Sequence, residues 1–374
     1  MPTVSSDLRI TERHGLEGLR DLREDWTRLS SAAGQYFNEY HWIEQSIRHD
    51  FRPASVYRFL VAERRSGEVV GIVPVELRRE RIRRISFPIW STLGSRLGDV
   101  MKMASGTDFV CATREMGLPV IQAVISHLSK AESKAALLLV GRVTKDSSAY
   151  QACQQIKRKH QYSLGGVDWV RTDCAYQDIR NTLSKKFKSN LRNASNRARN
   201  AGSMELQIDP HGSVHSERAF SDFMQVEASG WKAKARGNRG ALATNPFTSQ
   251  AAFLKEIFSA RDRSTPIIFR LFLSGRCIAA ALALQDDSRM AVFKIGYDED
   301  FRRLMPGHLL VERMLEFCCT EQTVTFMDLV SHTRWMASWN PEYQAHHYFY
   351  LPVRQLAANI PMALLRLPSM GARG

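Results

Sequence analysis

Apolar residues recur at steps of three and four from Leu16 through Leu19, Leu22 and Trp26 to Leu29, the period of a helix with one buried face. Tyr40 to Ile47 reads as a second helix. The pattern then becomes two apolar runs around Ser66-Gly67, in VYRFLVAERRSGEVVGIVPVELRR, which predicts a β-hairpin. A helix in LPVIQAVISHLSKA, a strand in KAALLLVGRV, a helix from Ser147 to Lys159 and a strand in VDWVRTDCA complete this half. The order then restarts. Helices are predicted in HSERAFSDFMQVEASGW and SQAAFLKEIFSAR, a hairpin around Ser274-Gly275 in IIFRLFLSGRCIAAALAL, and a strand in MAVFKIGYD. A helix in GHLLVERMLEFCC and strands in TVTFMDLV and HHYFYLPV follow. Both halves read helix, helix and hairpin and close on strand, helix, strand, which makes a duplication the suspected origin. The class is α/β (α+β), with one mixed, mostly antiparallel sheet flanked by helices in each half.

Between the halves lies TLSKKFKSNLRNASNRARNAG, Thr182 to Gly202, with six basic residues and no acid. Leu183, Phe187, Leu191, Ala194, Ala198 and Ala201 form one apolar stripe at helical spacing, so one side is packed. Ser184 or Thr182 can cap the start and Gly202 the end. Lys185, Lys188, Arg192 and Arg199 fall together opposite the stripe, with Lys186 and Arg197 at its flank. A solvated face ordinarily mixes signs, and this one does not. It reads equally as an anion-binding helix and as a plain surface. A second basic run, Arg78, Arg79, Arg81, Arg83 and Arg84, reads first as the polar side and turn of an edge hairpin, where Arg discourages unwanted pairing, and second as a binding patch.

Charge sharpens the first of these. The chain of 374 residues carries 52 Lys or Arg against 38 Asp or Glu, a net +14 that favours an anionic partner. Its six cysteines form no CxxC pair and no His cluster has ligand spacing, so no metal is expected. The opening MPTVSSDLRITERHG lacks the apolar core of a signal peptide, and no apolar run approaches the ~20 residues of a membrane span. A cytoplasmic protein is expected. The late LAANIPMALLRLPSM is apolar but short and proline-broken, which leaves peripheral membrane contact open. GxSxG, GxxxxGK[ST] and GxGxxG are absent, so hydrolase, ATPase and dinucleotide-enzyme readings lose their simplest support.

Three segments carry candidate chemistry. In EASGWKAKARGNRGALATNPF, Glu227, Trp231 and Lys232 end a helix before a basic, Gly-rich loop suited to a lid or acceptor site. In GYDEDFRRLMPGHLLVERMLEF, a strand ends at Tyr297-Asp298, Arg302 and Arg303 follow, and Pro306-Gly307 opens a helix. Free N–H groups at such a start, with Gly allowing close approach, make an anion seat. In TFMDLVSHTRWMASWNPEY, Asp328 ends an apolar strand, where open sheets place functional groups, and His332 and Trp339 follow in a polar loop.

The order of these segments resembles the GNAT-type acetyltransferase superfamily, in its FemAB-like, CelD-like (BioF-like) branch. The resemblance runs from about Leu22 to Pro352 through LREDWTRLSSAAG, YFNEYHW, LSKKFKSNLRNASNRARNAG, VEASGWK, FLSGRCIAAALAL, GYDEDFRRLMPGHLL and FMDLV with Trp339. It implies two tandem GNAT-like halves, residues 1–175 and 176–352, with a tail over 353–374. It implies an acyltransferase that moves an acyl group from a thioester, acyl-CoA, to an amine or hydroxyl of a small-molecule, glycan or peptide acceptor. Arg302, Arg303 and the amides of Gly307, His308 and Leu309 would then hold the donor. Asp328, Glu227 or His332 would serve as base, and Trp231, Lys232, Tyr297, Asp298 and Trp339 would shape the acceptor pocket. Two features depart from the pattern. The diphosphate loop expected after Arg303 has Pro306 and His308 where small residues are usual, and the Tyr-Lys that precedes the late Trp is replaced in the run Arg334 to Trp339. The resemblance therefore also admits an aminoacyl-tRNA donor, gripped by the basic helix and the Arg-rich hairpin, or a degenerate scaffold.

Overall fold

Neighbouring parallel strands cannot be joined by a tight turn; the chain must cross over, and a helix is the usual device. Among its described residues this chain makes that crossover twice. The computed structural model describes residues 8–33, 36–50, 56–94, 108–229, 249–259, 264–286, 288–322 and 324–366. They divide into two units, 1–165 with 345–374, and 166–344.

In the first unit, β1 (Leu8–His14) is followed by α1 (Gly15–Asp21), α2 (Arg23–Ala33) and α3 (Tyr40–Arg48). The single helix predicted over Leu16 to Leu29 is broken at Leu22, yet Leu19, Leu22, Trp26 and Leu29 all stay buried. β2 (Tyr57–Arg64) and β3 (Val69–Ile82) form the hairpin at Ser66-Gly67. β3 outruns β2 and pairs with β4 (Ile85–Thr92) in a second hairpin whose turn is Arg83-Arg84. The Arg run thus lies at a hairpin tip. After β5 (Val110–Cys111), α4 (Gly117–Lys130) crosses to β6 (Leu137–Val143), which lies parallel to β4. α5 (Ser148–Gln155), the start of β7 (His160–Arg171) and most of β13 (Glu342–Pro352) complete the unit. A last helix over Asn359–Arg366 forms in the tail despite Pro361, which sits in its first turn, where proline is tolerated.

In the second unit, α6 (Tyr176–Thr182) and α7 (Lys185–Ala201) precede β8 (Met204–Pro210), α8 (Ser216–Ser229) and α9 (Ser249–Ser259). β8, β9 (Thr265–Leu273), β10 (Arg276–Gln285) and β11 (Arg289–Tyr297) then form an antiparallel meander. α10 (Pro306–Glu321) crosses to β12 (Phe326–Asp328), parallel to β11 and antiparallel to the end of β7. α7, with α10, covers one sheet face: Phe187, Leu191, Ala194 and Ala198 join Leu309, Leu310, Met314 and Cys318 in one core. Ser184 caps α7 by accepting the Phe187 N–H at 3.1 Å. Ala201, predicted to finish the stripe, is exposed. With α10 and α11 (Asn359–Arg366) in place, no helix among the described residues is long and apolar enough to cross a membrane.

Candidate functional site

β11 and β12 pair over three positions, Arg289–Ala291 against Phe326–Asp328. β11 then runs on through Tyr297, with an irregular register opposite Leu282 and Ala283, while the chain leaves the sheet at Asp328. Two strands that part in this way leave a wedge beside the strand that continues. A cavity of about 620 Å³ opens there. Ile295, Gly296 and Tyr297 of β11 line it, with Glu227 of α8, the first turn of α10, and Thr333 and Trp335 of the loop beyond β12. Its volume is that of a small-molecule site.

The start of α10 is built by Met305, whose left-handed backbone (φ 52°) turns the chain, and Pro306, which suits the first helical position. The first amides of a helix lack helical partners. Pro306 has none, and those of His308 and Leu309 turn back to the Met305 carbonyl at 3.0 and 3.1 Å. Gly307 supplies the remaining first-turn amide. The anion seat read from sequence is thus narrower, since His308 offers its ring to the site and Leu309 is a core residue. Arg302 lines the cavity, and both Arg302 and Arg303 are exposed.

Glu227 is 2% exposed and reaches the wall beneath Gly296, where a Cβ would stand 2.8 Å from its Oε2. A side chain at 296 would displace the carboxylate. The buried ammonium of Lys294 lies 3.4 Å from Glu227 Oε1, which compensates two charges that could not be buried singly.

His308 is the most perturbed imidazole here. Burial pushes its pKa down to about 4, so the ring is neutral at physiological pH. Trp339 Nε1–H donates to His308 Nδ1 at 3.2 Å, which leaves the ring proton on Nε2. Phe187 packs edge-on to both rings. Trp339 is 1% exposed and belongs to this buried stack, whereas Trp335 lines the cavity and meets His308 edge-on.

His332 precedes Thr333 at the cavity wall. Its Nδ1 lies 2.8 Å from Asp168 Oδ1. The carboxylate is buried while the imidazole is about half exposed, and Tyr343 packs against the ring. A buried carboxylate on Nδ1 with the other nitrogen toward solvent is an arrangement that fixes a tautomer and aims Nε2. Asp328 plays another part. Its Oδ1 accepts the Val330 N–H at 2.6 Å, in a turn where Val330 has φ 60°, and Arg289 stands 3.8 Å from Oδ2. It does not line the cavity. Asp298 likewise turns to Arg276 at 2.6 Å and to the Asp300 amide at 3.1 Å, while its neighbour Tyr297 lines the wall. Trp231 and Lys232 lie outside the described residues.

Lys185, Arg192 and Arg199 are exposed along α7 and Lys188 is half-buried. The helix is tied to this site by Phe187 and by Arg197, which donates to the Arg303 carbonyl at 2.9 and 3.2 Å. Sequence reasoning missed Asp168, Lys294, Thr333 and Trp335. Two had a signal: a single charge inside an apolar strand, as in MAVFKIGYD and VDWVR, is costly unless it is partnered. Among the described residues no group of three or more His, Cys, Asp or Glu is placed to hold a metal.

Residues 185–335 match the family described as acetyltransferase (GNAT) domain. No curated protein matches the chain. Among solved structures, the C-terminal domain of a putative lysylphosphatidylglycerol synthetase from Agrobacterium fabrum is similar at TM-score 0.53 and 14% identity, over 94% of this chain and 99% of that one. FemX is similar at TM-score 0.55 and 12% identity, over 91% and 98%. A conserved protein of unknown function from Bacteroides thetaiotaomicron is similar at TM-score 0.55 and 12% identity, over 89% and 97%. At these identities the likeness is one of fold.

Proposed function

We propose that this chain, whose residues 185–335 match the acetyltransferase (GNAT) domain family, is an N-acyltransferase that takes its acyl group from acyl-CoA in the cavity between β11 and β12. The observation that carries the reading is the wedge itself. β11 continues beyond its parallel partner, so its free edge can bond the amides of an extended donor arm, as an added strand would. The wedge ends at a helix start with a glycine amide and an arginine, which suits the donor's phosphates. Arg302 and Gly307 would hold those phosphates with Arg303, and Ile295 to Tyr297 would hold the arm. His308, neutral with its proton on Nε2, would donate to the thioester carbonyl as charge develops there.

The acceptor amine attacks that carbonyl carbon. The C–N bond forms, the C–S bond breaks, and the thiolate leaves and is protonated from solvent. Glu227 orients the amine by accepting its N–H, and His332, aimed by Asp168, takes the proton the amine loses. Asp328 shapes the turn that carries His332. The acceptor is an amine on a small molecule, glycan or peptide, and reaction in the cytoplasm is part of the same reading.

A second donor has one observation in its favour. The basic face of α7 is tied to the cavity through Phe187 and Arg197, which suits a longer polyanion, an aminoacyl-tRNA. Release of free thiol over an acyl-CoA panel, with and without RNase, separates the two. RNase-insensitive release supports acyl-CoA; transfer from charged tRNA alone sinks it.

A further inference from the structure

The first unit carries a second basic surface, besides the face of α7. Three segments meet there: 77–86 at the β3–β4 tip, 156–164 at the start of β7, and 353–366 around α11. Together they hold ten Lys or Arg and one acid, Glu80. Bonds join them. Arg83 Nε donates to the Leu364 carbonyl at 3.2 Å, and Arg158 donates to the Gln355 carbonyl at 3.1 Å and to the Asn359 side chain. Glu80 is already engaged by Arg78 at 3.0 Å. Arg81, Arg83, Arg84, Lys157 and Arg366 are exposed.

Exposed aliphatic side chains stand among these cations. Leu356 is 87% exposed, Ile360 67% and Ile85 50%. Leu356 and Ile360, four residues apart, flank the start of α11, whose other side buries Met362 against Ile82 and Ile89. Ile85 stands directly opposite Ile82 across the hairpin, on the sheet face that α11 covers. Water solvates isolated leucines tolerably, but aliphatics on and beside a short amphipathic helix, ringed by one sign of charge, are the features of a face that enters a headgroup layer. Nucleic acid would be met instead by exposed aromatics for stacking, and here Tyr348 and Tyr350 are buried.

We propose that this face docks on the surface of an anionic lipid bilayer. Arg81, Arg83, Arg84 and Arg366 meet the headgroups, and Leu356 and Ile360 insert among the acyl chains beneath them. The proposal goes beyond the acyltransferase reading and stands without it.

The test is co-sedimentation of the full chain with vesicles of equal parts phosphatidylcholine and phosphatidylglycerol, beside vesicles of phosphatidylcholine alone. Binding to the mixed vesicles that fades with added salt is expected. L356D/I360D should abolish it, and R81S/R84S should weaken it by about 25-fold, since each cation near an anionic surface contributes about fivefold. All four positions are exposed, and unchanged circular dichroism confirms the fold. No binding to mixed vesicles, or equal binding by L356D/I360D, overturns the proposal. So does tight binding of a single-stranded RNA oligomer with none to vesicles, which would assign the face to nucleic acid.

Discussion

The two units repeat one plan and treat the space beside its parallel step in opposite ways. Each has an antiparallel meander followed by a parallel step through a crossover helix, α4 in the first and α10 in the second. In the first, the space beyond β4 and β6 is filled. Trp26 enters it from α2, with its Nε1 donating to the Asn38 carbonyl at 2.7 Å, and Phe109 joins it. What remains is about 10 Å³, room for one water at most. The start of α4 is covered too: a Cβ on Gly117 would stand 3.1 Å from the Ser148 carbonyl of α5. In the second unit the same space is a cavity of about 620 Å³, and Gly307 at the helix start faces into it. Identical topology therefore yields a packed core in one unit and an open cavity in the other. The difference lies in a few large side chains and one capping helix.

The largest effects should come from the open unit's carboxylate and imidazole. His332→Ala should lower the transfer rate by about 10²- to 10⁴-fold, as removal of a positioned proton acceptor does. Asp168→Asn should follow it, and added imidazole should partly rescue the alanine variant alone. Glu227→Gln should lower transfer and also stability, by about 3 to 5 kcal/mol, because the buried Lys294 ammonium loses the carboxylate charge 3.4 Å away. E227Q/K294M should recover the stability in urea melts and not the rate. Were the rate to return as well, Glu227 would be a structural partner only.

Next in size is the filled unit. Trp26→Ala should cost about 3 to 5 kcal/mol by the cavity it leaves, with donor affinity unchanged in whatever fraction stays folded. Loss of donor affinity at constant stability would show that the first unit is no mere packed copy.

The pH response separates the units by sign. His308 has its pKa depressed on folding, from 6.5 to about 4, by burial. The stability of keeping it neutral is present above 6.5 and is lost as pH falls toward 4, by about 3 kcal/mol at most. Asp108, in the first unit, caps α5 by accepting the amides of Ser148 and Ala149, yet burial raises its pKa from 3.8 to about 6. Its contribution is present below 3.8 and is lost as pH rises through 6. Stability curves of His308→Gln and Asp108→Asn should therefore flatten on opposite slopes. The smallest effect belongs to α7: exchanging Lys185, Arg192 and Arg199 for Gln should change stability by under about 0.5 kcal/mol. Donor affinity should drop a few-fold, and only at low salt.

Much of this plan could be read from the chain because hydrophobic period and turn chemistry are local. The hairpins at Ser66-Gly67 and Ser274-Gly275, α4, α7 and α10 follow from them directly. The edge strand β1, the strand β8 and α11 did not announce themselves, since each is held by partners distant in sequence. β1 is fixed by pairing with β2, β8 by β9, and α11 by the hairpin tip under it. The site was half legible. Pro306-Gly307, Glu227, Tyr297 and Arg302 reach the cavity because element ends can be located from pattern. Asp168, Lys294 and Thr333 could not be assigned, because what they do depends on which strand ends part and where. Asp328 was placed at a strand end correctly, but its carboxylate is engaged by the turn that follows.

The central claim is that the second unit's wedge, and not the first's, receives a thioester donor. Isothermal titration of the full chain with coenzyme A tests it directly, with Thr333→Trp to plug the cavity wall and Trp26→Ala as the control in the other unit. One site per chain is expected, lost in Thr333→Trp and kept in Trp26→Ala. No binding by the native chain, or equal binding by Thr333→Trp, would contradict it.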